Sequence, residues 1–168
     1  MKELLIKLNA CEEATYWAGD KSWEEVYNTC HRGDWMLWLF KRTNPEDIQL
    51  LTLAKGHCAN TVRHLMKDER SLKAVDAAIA FGEGKITREE LKVAANAVWS
   101  AASAAAYAWS AASAAAYAAY YAATAAAAYA ADAAAYAADA AEDAYEANQK
   151  LTADICRKYL PIEIWNIK

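Results

Sequence analysis

Residues 99–118 read WSAASAAAYAWSAASAAAYA, one decapeptide written twice in tandem, and from Ala101 to Ala141 alanine fills 28 of 41 positions. Alanine loses no side-chain rotamer freedom on entering a helix and has the best intrinsic helix propensity. Neither Gly nor Pro occurs between Lys85 and Leu160, so nothing there marks a break. Further on, Tyr129-Ala-Ala-Asp132 returns seven residues later as Tyr136-Ala-Ala-Asp139. The decapeptide is not a solenoid unit. A ten-residue step turns a helix by about 1000°, or roughly −80°, so the two copies face different ways. One stripe of the helical circumference carries alanine alone and lets a neighbouring helix approach closely. Dispersion must then come from backbone contact and from the partner's large side chains, and Trp17, Trp23, Trp35, Trp38 and Phe40 are the expected partners.

One unbroken helix from Thr87 to Tyr159 would run on the order of 100 Å at about 1.5 Å per residue. The 86 residues before it cover only part of that length. A fold-back around Tyr120-Tyr121-Ala-Ala-Thr124 is therefore expected, giving two antiparallel Ala-rich helices. The rival is a single long helix buried by homo-oligomerisation.

Upstream, the chain is punctuated as a series of short helices. Leu4, Leu5 and Leu8 form a first apolar stripe, and the stretch from Cys11 to Ala18 stops at Gly19. Ser22-Trp23-Glu24-Glu25 and Thr87-Arg88-Glu89-Glu90 are capping boxes, in which hydroxyl and carboxylate each satisfy an orphan backbone N–H. Asp34 is expected to cap Trp35-Met36-Leu37-Trp38-Leu39-Phe40. Asn44-Pro45 reads as a cap with proline at the first helical position, opening a helix to about Leu65. Ile48, Leu51, Ala54 or Lys55, Cys58 and Val62 recur along it at helical spacing. Another helix runs from about Glu69 to Phe81. The expectation is one all-α domain over residues 1–168. It is a helical bundle in which short Trp-rich helices of residues 1–86 pack on the long Ala/Tyr-rich segment of residues 87–160.

Composition narrows the function classes. With five Gly and two Pro in 168 residues, turn residues are too scarce for a sandwich or barrel. The formal net charge of −4 opposes non-specific nucleic-acid coating, which needs a basic excess. No signal peptide is read at the N-terminus, and the alanine tract with Asp132 and Asp139 makes a poor membrane span. A cytoplasmic protein without a membrane partner is expected. Cys11, Cys30, Cys58 and Cys156 lie far apart with no CxxC pair, so free thiols are expected over a disulfide framework.

Catalytic machinery is not evident: no GxGxxG, P-loop or GxSxG occurs, and the expectation is a non-enzymatic protein without cofactor or metal. Cys30-His31 and His57-Cys58 would hold zinc only if their helix ends met. Asp132, Asp139, Glu142, Asp143 and Glu146 share nearly one helical face and read first as its solvated side. The aromatic load says more. Seven Trp and ten Tyr exceed what packing usually demands. Tyr, Trp and Arg dominate binding hot spots and stack on planar ligands. Candidate binding residues are Arg32, Asp34, Trp35, Trp38, Arg63, Tyr107, Trp109, Tyr117, Tyr120 and Tyr121, with core packing the competing role for Trp35 and Trp38.

Leu8-Asn9-Ala10-Cys11 with Ala14 and Trp17, then Trp23, Cys30, Asp34-Trp35-Met36-Leu37-Trp38-Leu39, the Ala/Tyr/Asp tract and Ala153-Asp154-Ile155-Cys156-Arg157-Lys158-Tyr159-Leu160-Pro161 together resemble a known group. These are the alanine-rich bacterial immunity proteins of polymorphic-toxin and contact-inhibition systems. The resemblance implies a cytoplasmic, non-catalytic inhibitor that binds a protein toxin; the negative charge would suit a basic nuclease toxin. The alternative is a protein that sequesters a small nucleotide signal in anti-defence, with Tyr/Trp walls for the base and Arg32 or Arg63 for phosphates. An ice-binding or other structural role would call for a regular Thr array, and only Thr124 occurs in the tract.

Overall fold

The computed structural model describes residues 1–66, 69–105 and 142–167. Within them the chain is all-helical: α1 (Lys2–Lys7), α2 (Glu12–Ala18), α3 (Trp23–Thr29), α4 (Gly33–Thr43), α5 (Ile48–Asn60), α6 (Glu69–Gly82), α7 (Arg88–Ala105) and α8 (Glu142–Tyr159). Short 3-10 turns lie at Arg63–Leu65 and Ile162–Ile164. The expected fold-back at 120–124, and most of the alanine tract, fall outside the described residues.

Local chemistry explains most boundaries. At α3, Ser22 Oγ accepts from Glu25 N while Glu25 accepts from Ser22 N. Thr87 and Glu90 make the same reciprocal pair at α7. Two helices end in Schellman motifs, where the last carbonyls are satisfied by the turn that follows. At α1, Ala10 N donates to Leu5 O and Asn9 N to Ile6 O, with Asn9 left-handed at φ 58°. At α6, Lys85 N and Gly84 N do the same to Ala80 O and Phe81 O, with Gly84 at φ 74°.

Three boundaries differ from the sequence reading. α4 begins at Gly33 with Arg32 in the N-cap position, and Asp34 sits inside its first turn, where its carboxylate holds Arg32 instead of capping backbone. Asn44 does not open α5, which starts at Ile48. Instead, Asn44 closes α4 and ties the C-terminal segment: its Nδ2 donates to Ile164 O at 2.7 Å, and its Oδ1 accepts from Asn166 N. α5 stops at Asn60, short of Leu65.

Two apolar clusters share α5. The first joins Leu5, Val26, Tyr27, Leu37, Phe40, Leu51, Cys58 and Leu160 with the C-terminal Trp165. The second joins Ala59 and Val62 to Ala74, Val75 and Ala78 of α6 and Leu91 and Ala95 of α7. Trp17 packs on Trp35, and Trp23 and Phe40 both pack on Trp165; the expected contact of these rings with the alanine tract lies outside the described residues.

α8 lies against α4 and α5. Its approach to the start of α4 depends on Gly33, where an added Cβ would fall 2.5 Å from Thr152 Oγ1 and 2.6 Å from the Thr152 carbonyl carbon. Arg157 of α8 reaches the end of α3, donating to Tyr27 O at 3.0 Å and also to Cys30 O. There the guanidinium serves the orphan carbonyls and the negative end of the helix dipole. Tyr27 returns the contact, its hydroxyl sharing a proton between Arg157 O and Leu160 O, each at 3.2 Å.

Gly33→Ala is expected to destabilise the fold by about 2 kcal/mol or more, because backbone as well as side chain must give way. Chemical denaturation would show it as a lower midpoint at unchanged slope.

Lys55, wholly buried on α5, is a second point of stress. Burial, helped by the nearby charge of Lys41, pushes its amine down to about 7. An unfolded lysine keeps its proton to about pH 10, so above pH 7 the unfolded state binds more protons and stability rises with pH. Below pH 7 both states are protonated and the destabilisation stands in full. Burial also pushes the Cys30 thiol up to about 11 and raises Cys156 well above the ordinary thiol range; one such thiol cancels the lysine slope, and the two together reverse it, once unfolded thiols ionise near about pH 8.5. Thermal melts are expected to show stability climbing from about pH 7 to pH 8.5. In Lys55→Met that climb should disappear.

Candidate functional site: a tryptophan-walled cavity

Helices α1 to α4 and the C-terminal segment enclose a cavity of about 260 Å³ whose lining is mainly apolar. Among the described residues five tryptophans line it: Trp17, Trp23, Trp35, Trp38 and Trp165. The Schellman turn after α1 brings Ala10 and Cys11 to its edge. Ala14 and Trp17 follow from α2, Trp23 and Val26 from α3, and the Trp35/Trp38 face from α4. Trp165 is held from below by its indole N–H, which donates to Leu160 O at 2.9 Å. Trp23 and Trp165 pack with centroids 4.9 Å apart, Trp17 and Trp35 with 5.9 Å.

One ion pair stands among these rings. Arg32 Nε and Nη2 donate to the two Asp34 oxygens at 2.8 and 2.6 Å, a bidentate fork of the strongest protein hydrogen-bond type. Their side chains are 15% and 10% exposed, so water screens the pair weakly. Arg32 also lies 3.6 Å from Glu13 and 4.7 Å above the Trp35 ring. Two further cations sit over wall rings without lining the cavity: Lys21 at 4.5 Å from Trp17 and Arg42 at 5.2 Å from Trp38. Outside the cavity, Tyr16 (89% exposed) and Ile6 (57%) continue the apolar surface over α1 and α2. They line a shallow groove that shares Ala10 with the cavity.

Of the candidate residues named from sequence, the structure gathers Arg32, Asp34, Trp35 and Trp38 in this cavity. Arg63 is elsewhere, on the 3-10 turn after α5, with Nη1 and Nη2 at 2.6 and 3.0 Å from the Asp76 carboxylate. Both arginines assigned to phosphate thus hold carboxylates, and a phosphate would have to displace one. Tyr107, Trp109, Tyr117, Tyr120 and Tyr121 lie outside the described residues. Sequence reasoning missed Trp165, Cys11 and Glu13 as lining residues, and took Trp17 and Trp23 only as packing partners. The one available signal was the apolar set Ile162, Ile164 and Trp165 after Pro161, which a bundle has no reason to leave in solvent.

The two Cys-His pairs do not converge. His31 sits edge-on to Trp17, while His57 stacks flat on Tyr159 at 4.2 Å. Burial first, and then the Lys158 charge, lower the His57 pKa. The cysteines are free. Cys30, Cys58 and Cys156 are buried, with thiols turned to the carbonyls of Arg32, Thr152 and Gly33. Desolvation raises Cys30, and raises Cys156 well above the ordinary thiol range, with neighbouring Cys58 adding to it. Among the described residues no His, Cys, Asp and Glu side chains group as metal ligands, and no helix is long and apolar enough to cross a membrane. Comparisons of the chain with protein-family models, curated proteins and solved structures found no match.

Ellman's reagent is expected to titrate one thiol in the native protein, Cys11, and all four in denaturant, because the other three are buried out of reach. Alkylation followed by peptide mapping would identify it.

Proposed function

We propose that this chain is a non-catalytic binding protein that neutralises a bacterial protein toxin in the cytoplasm by direct contact. Its docking face is the α1–α2 surface and the cavity behind it. The cavity carries the reading. A small domain gains stability by closing its apolar core, and here five indoles surround space that no side chain of the described residues fills. Hot spots of protein interfaces are such aromatic, desolvated pockets. Ile6 and Tyr16 extend the apolar surface beyond the cavity mouth, which suits a macromolecular partner better than a small ligand held wholly inside. The net charge of −4 would speed encounter with a basic toxin domain.

The test is co-expression with toxins encoded beside its gene, scored by survival and by calorimetric binding to the purified pair. Cys11→Trp, which places an indole at the mouth, is expected to weaken binding about 30-fold or more, as loss of a hot spot does, and to remove protection. Lys73→Ala, on an exposed face of α6, should leave both unchanged. Full binding by Cys11→Trp would remove the cavity from the interface; failure of the unaltered protein against every neighbouring toxin would overturn the reading.

A further inference from the structure

We infer that the tryptophan cavity receives a neutral aromatic side chain from a basic segment of a protein partner. The inference rests on the binding reading above and names what enters the site. Size comes first. A 150 Å³ apolar cavity holds one benzene ring, whereas drug-sized ligands need roughly 300 Å³ or more. The space here, about 260 Å³, lies between these and matches a single large side chain such as Trp, Tyr or Phe.

Charge on the guest is disfavoured from two directions. The polar groups in the wall already satisfy each other, Arg32 on both oxygens of Asp34. Among the described residues no buried side-chain polar atom lacks a partner. A cation, the usual guest of an aromatic cage, meets a different obstacle. Trp17, Trp35 and Trp38 each carry a cation of the protein over the ring, from Lys21, Arg32 and Arg42. Lys21 and Arg42 do not line the cavity, so their rings are polarised from outside. A second positive charge on the inner side would find weakened π density and repulsion from the first. Such electron-poor inner faces favour the edge or face of another aromatic ring.

The surroundings set what the ring is attached to. Residues 12–29, which run through α2 and α3 past the cavity, carry Glu12, Glu13, Asp20, Glu24 and Glu25 against Lys21 alone, and all five acids are exposed. An aromatic residue flanked by Lys or Arg would seat its ring among the indoles while its neighbours meet these carboxylates. Glu13 is shared with Arg32 and Glu25 caps α3, so the steering would fall mainly to Glu12, Asp20 and Glu24.

Three fluorescein-labelled hexapeptides test this against the full chain: one with a central Trp flanked by lysines, one with that Trp replaced by Ala, and one with the lysines replaced by Glu. Anisotropy gives affinity. The rate at which iodoacetamide alkylates Cys11, at the cavity edge, reports occupancy. The basic Trp peptide should bind, slow alkylation at least tenfold when saturating, and weaken as salt rises. The Ala and Glu peptides should each lose tenfold or more. Equal binding of the Trp and Ala peptides, preference for the Glu peptide, or displacement of the Trp peptide by choline would overturn the inference. A toxin that binds tightly without protecting Cys11 would overturn it while leaving the neutralising function standing. Peptide protection in a protein that rescues cells from no toxin would do the reverse.

Discussion

The placement of α8 across the start of α4 and the end of α5 is the constraint on which the site depends. Gly33 removes the Cβ that would meet Thr152, so the two helices close to backbone contact. At that distance Cys156 reaches Gly33 O, and Arg157 reaches over to finish the last turn of α3. Three separate segments are thereby fixed relative to one another by residues that are not themselves in the cavity. That contact gives α3 and α4, which carry three of the cavity's tryptophans, a common support on α8.

The C-terminal segment completes the enclosure. Trp165 is buried against Phe40, Trp23 and Tyr27, and Asn44 holds the backbone on either side of it. An apolar void of this size loses dispersion contacts on every lining atom, so something must keep the walls from collapsing inward. Bulky rings braced against each other from behind do this. Lys21 and Arg42, which do not line the cavity, lie over Trp17 and Trp38, Arg32 lies over Trp35 within the lining, and the Arg32–Asp34 fork ties the entry of α4 to its first turn.

What was legible in the chain followed from how far each interaction reaches. The Ser22 and Thr87 capping boxes, the stop at Gly19 and the helix from Glu69 are written in residues within one turn of each other, and they appear as read. Asn44 misled because its local pattern, Asn before Pro, is a helix-start signal, while its partners lie some 120 residues away in sequence. Asp34 misled likewise: a carboxylate two residues after Arg32 had a stronger partner than the backbone. Trp35 and Trp38 were read as binding residues with core packing as the competing role, and they pack against the core and line the cavity at once. Lys55, read only as an alternative to Ala54 in an apolar stripe, proved to be buried together with it.

The residues by themselves determined that the described chain is helical and where several of its short helices begin and end, because propensity, capping and periodicity act over a few positions. They also showed that tryptophans were in surplus. Only the tertiary structure decided that five of them, drawn from four separate segments, would surround one space, and that Arg63 would stand apart from it with Asp76. Such grouping depends on which helices approach closely enough to touch, and that was settled by a missing Cβ at Gly33 and a long-range clasp between Tyr27 and Arg157.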